Sequence, residues 1–355
     1  MIRPPDYVAA IRPYVPGKPV EELERELGIT GSIKLASNEN PLGPSPVAIE
    51  AINDATKDFN RYPDGGGYYV RNALAGKLSV EPEQIILGNG SNELLDIVAR
   101  TYMRPGDEAV MATPSFVVYA MAVQSIGGRA MQVPLKNYIH DLPSMREAVT
   151  DKTKIVFIAN PNNPTGTINK RDEFDVFMGG LPEGILTVMD EAYYEYVSDP
   201  HYADSMEWFR KGKDILILRT FSKIFGLAGL RIGYGIAGAG IINEMNKLRP
   251  PFNTNTIAQS AALGALRDDG HVRKSRETNE KGKQYLYKEL TRLGVGYVPT
   301  EANFIYIPVE DSMGLYEKLL RKGVIVRPMG PALRVTIGLA EENRRFLDAL
   351  KSVMR

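Results

Sequence analysis

The sequence predicts an α/β protein: a large domain with a mostly parallel seven-stranded sheet covered by helices, and a smaller α/β C-terminal domain joined to it by an N-terminal arm. Three observations predict it. Seven short apolar runs recur between residues 85 and 236, and amphipathic stretches separate most of them. The runs are continuous rather than alternating, as expected of strands buried on both faces of a parallel sheet. A shorter alternation of strand-like and helical runs follows residue 293.

Composition fits this class and excludes others. The chain has 355 residues, 43% of them hydrophobic and 24% charged, which suits a soluble globular protein with a large core. Lys plus Arg and Asp plus Glu number 43 each, so no overall field recruits nucleic acid or an anionic membrane, and neither is expected as a partner. There is no cysteine, and the three histidines, His140, His201 and His271, are far apart. Disulfides, thiolate nucleophiles and zinc–thiolate centres are therefore excluded, and no metal is expected. The opening MIRPPDYVAAIRPYVPG has no apolar run of signal-peptide length, so the expected location is the cytoplasm.

In chain order, residues 1–45 read as an arm with one helix, Val20 to Leu27, and a short strand, Lys34 to Ala36, before the turn-rich SNENPLGPSP. Residues 46–255 form the large domain. It opens with a helix from Val47 to Ala55 and the glycine-rich RYPDGGGY of Arg61 to Tyr68. Its strands are expected at Ile85 to Leu87, Glu108 to Ala112, Ala130 to Val133, Ile155 to Ala159, Leu186 to Met189, Ile215 to Leu218 and Ile232 to Ile236. Helices are expected at Glu93 to Tyr102, Phe116 to Ile126 and Asp172 to Phe177. Residues 256–292 read as a connecting helical segment. The small domain, residues 293–355, has strands at Tyr297 to Val298, Asn303 to Ile307, Val324 to Arg327 and Leu333 to Ile337, and helices at Leu315 to Arg321 and from Glu341.

Ligands of such sheets gather beyond the carboxyl ends of the strands, and polar residues stand at those ends. GNGSNELL places Ser91 and Asn92 at a helix start, as helix caps or as phosphate ligands. Phe116 in TPSFVVY is either a core aromatic or a platform for a flat ring. Asn163 in NPNNPTG is held in a rigid turn, as a turn-forming residue or as a donor to a ligand oxygen. Asp190 follows an apolar strand directly, where a carboxylate needs a partner: a helix N-terminus or a cation such as a protonated pyridine nitrogen. Tyr193 is three residues on. The stretch LILRTFSKIFGLAGLRIGYGI then adds Thr220, Ser222, Lys223 and Arg231. An aromatic platform, an asparagine and tyrosine for a ring oxygen, an aspartate for a ring nitrogen, a lysine for an aldehyde, and hydroxyls with an arginine for a phosphate together match pyridoxal 5'-phosphate.

These motifs carry a family resemblance. KLASNENPLGPSP, RYPDGGGY, GNGSNELL, NPNNPTG, DEAYYEY, RTFSKIFGLAGLRIGYGI, RPPFNTNTIAQSAA and LRVTIG occur in an order that resembles the fold-type I pyridoxal-phosphate enzymes of the aspartate aminotransferase superfamily, and within it the histidinol-phosphate aminotransferases. The resemblance implies a catalytic set of Lys223 as Schiff-base and proton-transfer group, Asp190 on the ring nitrogen and Tyr193, with Asn163, on the ring oxygen. It implies that Phe116 stacks on the ring and that Gly90, Ser91, Asn92, Thr220, Ser222 and Arg231 hold the cofactor phosphate. Tyr62 resembles a tyrosine donated across a homodimer to the partner's cofactor. Arg334 matches an arginine that grips the substrate, and Arg327 and Tyr14, with Asn163 nearby, complete the implied substrate site. The implied reaction converts L-histidinol phosphate and 2-oxoglutarate to imidazole acetol phosphate and L-glutamate by a ping-pong route in histidine biosynthesis. Aromatic-amino-acid transamination and threonine-phosphate decarboxylation are the neighbouring alternatives, and a non-catalytic pyridoxal-phosphate-binding regulator is a remote one. MGPA makes an unusually short connection between Arg327 and Arg334.

Overall fold

A computed structural model describes residues 2–354. Its strands in chain order are β1 (Ile33–Lys34), β2 (Ile85–Gly88), β3 (Glu108–Thr113), β4 (Arg129–Pro134), β5 (Thr153–Ala159), β6 (Leu186–Asp190), β7 (Ile215–Thr220), β8 (Gly233–Ile236), β9 (Phe304–Pro308), β10 (Val324–Ile325), β11 (Arg327–Pro328) and β12 (Ala332–Thr336). Seven form one sheet in the order β2-β8-β7-β6-β5-β3-β4, in which β8 alone runs antiparallel to its neighbours. The expected mostly parallel seven-stranded sheet is thus present, each strand within two residues of its expected span.

Both faces of the sheet are covered, which is why its strands lack alternation. Val110, Val156, Ile158, Ile215 and Ile217 face one helical layer, while Met111, Ile155, Phe157, Leu216 and Leu218 face the other. Helix Ser91–Tyr102 buries Leu94, Leu95, Ile97, Val98 and Ala99, and each large apolar side chain removed from water there contributes about 2 kcal/mol. The helical passage after residue 256 is two helices, Thr256–Leu266 and Asp269–Arg292, because Asp268 starts the second by accepting the His271 N–H at 2.9 Å. The first packs closely on helix Pro46–Ala55 through small residues. A Cβ on Gly264 would stand 2.7 Å from the Val47 carbonyl oxygen.

The C-terminal unit holds the three-stranded sheet β11-β12-β9, backed by helices Ser312–Leu320 and Ala340–Val353. The strand expected over Val324 to Arg327 is divided: β10 pairs with β1 of the arm, whereas β11 pairs with β12. Its two ends therefore tie different sheets together. The strand expected at Tyr297 to Val298 is reduced to one bridge, Val298 to Tyr306. Several helices escape the periodicity argument, among them Leu142–Glu147, Met206–Arg210 and Ala239–Asn246. Tyr68–Leu78 hides behind its glycine-rich start, and Asp6–Ala9 is a single turn packed near Gly127.

The arm crosses from one unit to the other. Gln124 donates to the Tyr7 carbonyl at 3.3 Å on the large-sheet side, and Leu23 packs with Ile325 on the other. Between these anchors the Val15 carbonyl accepts from Arg327 of β11.

Candidate active site

Strands β5, β6 and β7 are parallel neighbours, so Ala159, Asp190 and Thr220 end on one edge of the sheet. Beyond that edge is a cleft of about 250 Å³. It brings together Ser91, Asn92, Phe116, Asn163, Asp190, Tyr193, Thr220, Ser222, Lys223 and Arg231 from the large sheet, Arg327 and Arg334 from the small one, and Tyr14 from the arm.

One corner is rich in donors. Helix Ser91–Tyr102 begins at Ser91, with Gly90 in the cap position at φ 73°. Neither Ser91 nor Asn92 caps it by its side chain, so both hydroxyl and amide remain directed to the cleft rim. A Cβ on Gly90 would collide with Arg231 Nη2, and one on Gly233 would collide with the Ser91 nitrogen. The two glycines let helix start, β8 and guanidinium close on one point. Arg231 itself sits at φ 60°, costly for a side-chain-bearing residue, and its Nη1 donates to Ser222 Oγ at 3.2 Å and the Ala228 carbonyl at 3.1 Å. Thr220 Oγ1 accepts from the Ser222 N–H at 3.1 Å. Backbone N–H groups at a helix start, three hydroxyls and a guanidinium form an anion cradle.

The same cleft carries a buried acid. Asp190 is 8% exposed; it accepts from Tyr119 Oη at 2.7 Å and from the Ala192 N–H at 3.1 Å. Burial pushes its carboxyl above the usual carboxylate range, against the two hydrogen bonds and the charge of Lys223, which act to lower it. A cation placed on Asp190 would relieve that cost. Lys223 lines the same cleft, its Nζ donating to the Ser37 carbonyl at 3.3 Å and standing 5.5 Å from the Tyr193 ring. Tyr193 Oη accepts from Asn38 Nδ2 at 2.8 Å.

On the small-sheet wall, Arg327 and Arg334 are directly opposed in the β11–β12 register and so share a face. Arg334 is almost wholly buried. It donates to Asn163 Oδ1 at 2.5 Å and the Ala36 carbonyl at 2.7 Å, while its Nε has no partner, and burial pushes its pKa down. Such a guanidinium is built to receive another acceptor. Arg327 donates to the Val15 carbonyl at 2.7 Å and lies over the Tyr14 ring at 5.4 Å, so the arm fixes its direction.

The donor set fits pyridoxal phosphate: an anion cradle, a buried carboxyl that a ring cation would suit, and a lysine in the same cleft. Of the residues singled out by sequence, Gly90 lies behind the cradle wall and Tyr62 lies outside the cleft. Tyr62 is 83% exposed and stacks on Phe252 at 4.7 Å. Sequence reasoning missed Tyr119 and Asn38. Tyr119 is one helical step beyond Phe116 and reads as a core aromatic. Asn38 lies in the quoted SNENPLGPSP, at φ 56°, and joins Tyr193 to Thr336, whose Oγ1 accepts its N–H at 2.9 Å.

Comparison with known proteins agrees with this geometry. The family model "Aminotransferase class I and II" matches residues 30–350. A histidinol-phosphate aminotransferase from Moorella thermoacetica is 51% identical, over 98% of this chain and 92% of its own length. Histidinol-phosphate aminotransferase 1 of Nitrosococcus oceani is 48% identical, over 98% and 95%. The crystal structure of histidinol-phosphate aminotransferase from Sinorhizobium meliloti, solved in complex with pyridoxal-5'-phosphate, superposes with a TM-score of 0.91 at 26% identity, covering 99% of each chain. From these matches across nearly its whole length, the chain belongs to the class I and II aminotransferases and, within them, to the histidinol-phosphate aminotransferase family.

Proposed function

We propose that the protein transfers the amino group of L-histidinol phosphate to 2-oxoglutarate with pyridoxal 5'-phosphate, giving imidazole acetol phosphate and L-glutamate in histidine biosynthesis. The observation that carries the substrate assignment is the opposed pair Arg327 and Arg334 beside Tyr14 on the cleft wall. Two guanidiniums suit a phosphate dianion, whereas one suffices for an amino-acid carboxylate. The same pair would take a carboxylate of 2-oxoglutarate in the return half-reaction.

When bound, the cofactor supplies an aldehyde for the substrate amine and an electron-withdrawing ring. The chain's residues do the rest. Ser91, Asn92, Thr220, Ser222 and Arg231 would hold the phosphate, with Gly90 behind them letting Arg231 approach the helix start, and Phe116 would cover a ring face. Asp190 keeps a proton on the ring nitrogen, with Tyr119 and the Ala192 N–H holding the carboxyl in place. Asn163 and Tyr193 hold the ring oxygen. Lys223 Nζ would take the proton from the substrate Cα as general base and, as general acid, give it to the carbon that was the cofactor's aldehyde, leaving the amino group there. Arg334, steadied by Asn163 and Ala36, orients the substrate against that lysine.

A single-turnover assay tests the reading. Mixed with histidinol phosphate, the cofactor-loaded protein should lose its aldehyde-form absorbance, and 2-oxoglutarate should restore it. Conversion by phenylalanine, or release of CO2 from threonine phosphate with the aldehyde form regenerated, and no conversion by histidinol phosphate, would assign the protein to one of the neighbouring chemistries.

The active form in this reading is a homodimer, with Tyr62 reaching the partner's cofactor phosphate. Phe59, Tyr62, Tyr68 and Tyr69 are each more than 60% exposed, an apolar surface of the kind that partners cover. Light scattering should give twice the 39.3 kDa chain mass, and Tyr62→Phe should weaken cofactor binding about tenfold, the loss of one charge-assisted hydrogen bond. A monomer with full activity would contradict it. Among the described residues no helix is long and apolar enough to cross a membrane, and the cytoplasm is the proposed location. The proposed division is arm 1–45, cofactor domain 46–255, connecting helices 256–292 and small domain 293–355.

A further inference from the structure

Behind the cleft lies a buried polar network that none of the assigned roles uses. Glu191, 0% exposed, follows Asp190 directly, and Arg219, 3% exposed, precedes Thr220. They pair across β6 and β7, with Arg219 Nη2 2.7 Å and Nε 2.8 Å from Glu191 Oε2. The guanidinium carbon lies 3.7 Å from the centre of the Tyr194 ring. Tyr202 Oη donates to the Asn160 carbonyl at 2.6 Å and stands 3.3 Å from Glu191 Oε1. Asn160 opens the loop that carries Asn163. Glu195 is the other carboxyl near Arg219, and burial pushes it up to about 7.

The backbone ladder also runs one step past the strand ends, since the Asn160 N–H donates to Asp190 at 3.0 Å and the Glu191 N–H to Leu218 at 2.8 Å. The side chains of Glu191, Arg219 and Tyr202 therefore join the ends of β5, β6 and β7 at the level where Asn163, Asp190 and Lys223 leave the sheet. A buried ion pair is a poor way to add stability, because desolvation of both charges offsets most of the attraction and apolar replacements are often as stable. What it supplies is direction: a guanidinium held by its Nε on one carboxylate oxygen of the adjacent strand, and stacked on Tyr194, admits few registers.

Resting on the cofactor site described above, we propose that Glu191, Arg219 and Tyr202 form a clamp of positioning residues that sets the relative height of Asp190, Asn163 and Lys223 and so the affinity and electronic state of the bound cofactor. None of the three lines the cleft. They act through the strand ends.

The test uses the full chain, wild type beside Tyr202→Phe, Arg219→Lys and the charge-free pair Glu191→Leu with Arg219→Leu. Four quantities are read: thermal midpoint without cofactor, dissociation constant of pyridoxal phosphate, pH midpoint of the bound cofactor's absorbance, and kcat against KM. Tyr202→Phe should keep its thermal midpoint within about 3 °C, as loss of one hydrogen bond implies for a chain of this size, yet bind cofactor more weakly and shift the absorbance midpoint. Arg219→Lys and the charge-free pair should lose about tenfold or more in cofactor affinity, the scale on which small misplacements are felt, with kcat falling more than KM rises. Variants that fold and keep wild-type affinity and absorbance midpoint would overturn the clamp. Should the charge-free pair not fold, Tyr202→Phe alone decides the matter by the same readouts. A wild-type protein that binds no pyridoxal phosphate would instead overturn the cofactor site itself.

Discussion

Lys223→Ala is expected to lower turnover by on the order of 10⁵ or more, the loss seen when a group acting as nucleophile and proton carrier is deleted. Among the described residues Lys223 Nζ is the one amine lining the cleft, and its hydrogen-bond partner is a backbone carbonyl rather than a carboxylate. It is thus not neutralised by a fixed counter-ion and remains available to a carbonyl carbon. The variant should still bind the cofactor through the cradle, because Ser91, Thr220, Ser222 and Arg231 are untouched. After borohydride treatment, mass spectrometry should find the wild-type chain carrying the cofactor covalently and the variant not. Retained turnover, or a modified residue other than Lys223, would sink the assignment.

Asp190→Asn is the second large effect. Its carboxyl is pushed up by burial in the folded chain, so in the cofactor-free protein the charged form costs stability. That cost is absent below the unfolded carboxylate pKa, accumulates as pH rises through the folded value, and is complete above it. Asparagine removes the cost, so the cofactor-free variant should melt no lower than wild type at neutral pH. With cofactor the order reverses: the amide no longer stabilises a protonated ring nitrogen, and turnover should fall by on the order of 10²–10³, as for loss of one preorganised charge partner. A variant that melts well below wild type without cofactor, or turns over normally with it, would contradict this role.

The strand ends were legible because the sheet is buried on both faces. Apolar runs such as Leu216 to Leu218 stand out from amphipathic neighbours, and the polar residues after them, Asp190, Thr220 and Lys223, fall where parallel strands deliver ligands. Elements that depend on distant partners were less legible. Tyr119 has the pattern of a core aromatic, and only its approach to Asp190 from another element shows its hydroxyl at work. The Glu191–Arg219 pair joins residues 28 apart in sequence on adjacent strands, which no local periodicity registers. The split at Val326 arises because two sheets compete for one short extended segment, and helix Tyr68–Leu78 begins at a glycine in the left-handed region rather than at a Ser, Thr or Asp cap. Arg327 and Arg334 were assigned through family resemblance. Their shared face follows from the register of a hairpin whose turn is only a few residues long.

That shared face is the basis of the substrate assignment. The most direct measurement is the half-reaction rate of Arg327→Ala with histidinol phosphate and with phenylalanine, each relative to wild type. Removing one of two guanidiniums from a phosphate should cost histidinol phosphate on the order of 100-fold in kcat/KM, while phenylalanine, held by Arg334, should change by no more than about threefold, the size of a remote surface charge effect. Equal losses for both substrates, or no loss for histidinol phosphate, would contradict the phosphate role of Arg327 and with it the proposed substrate.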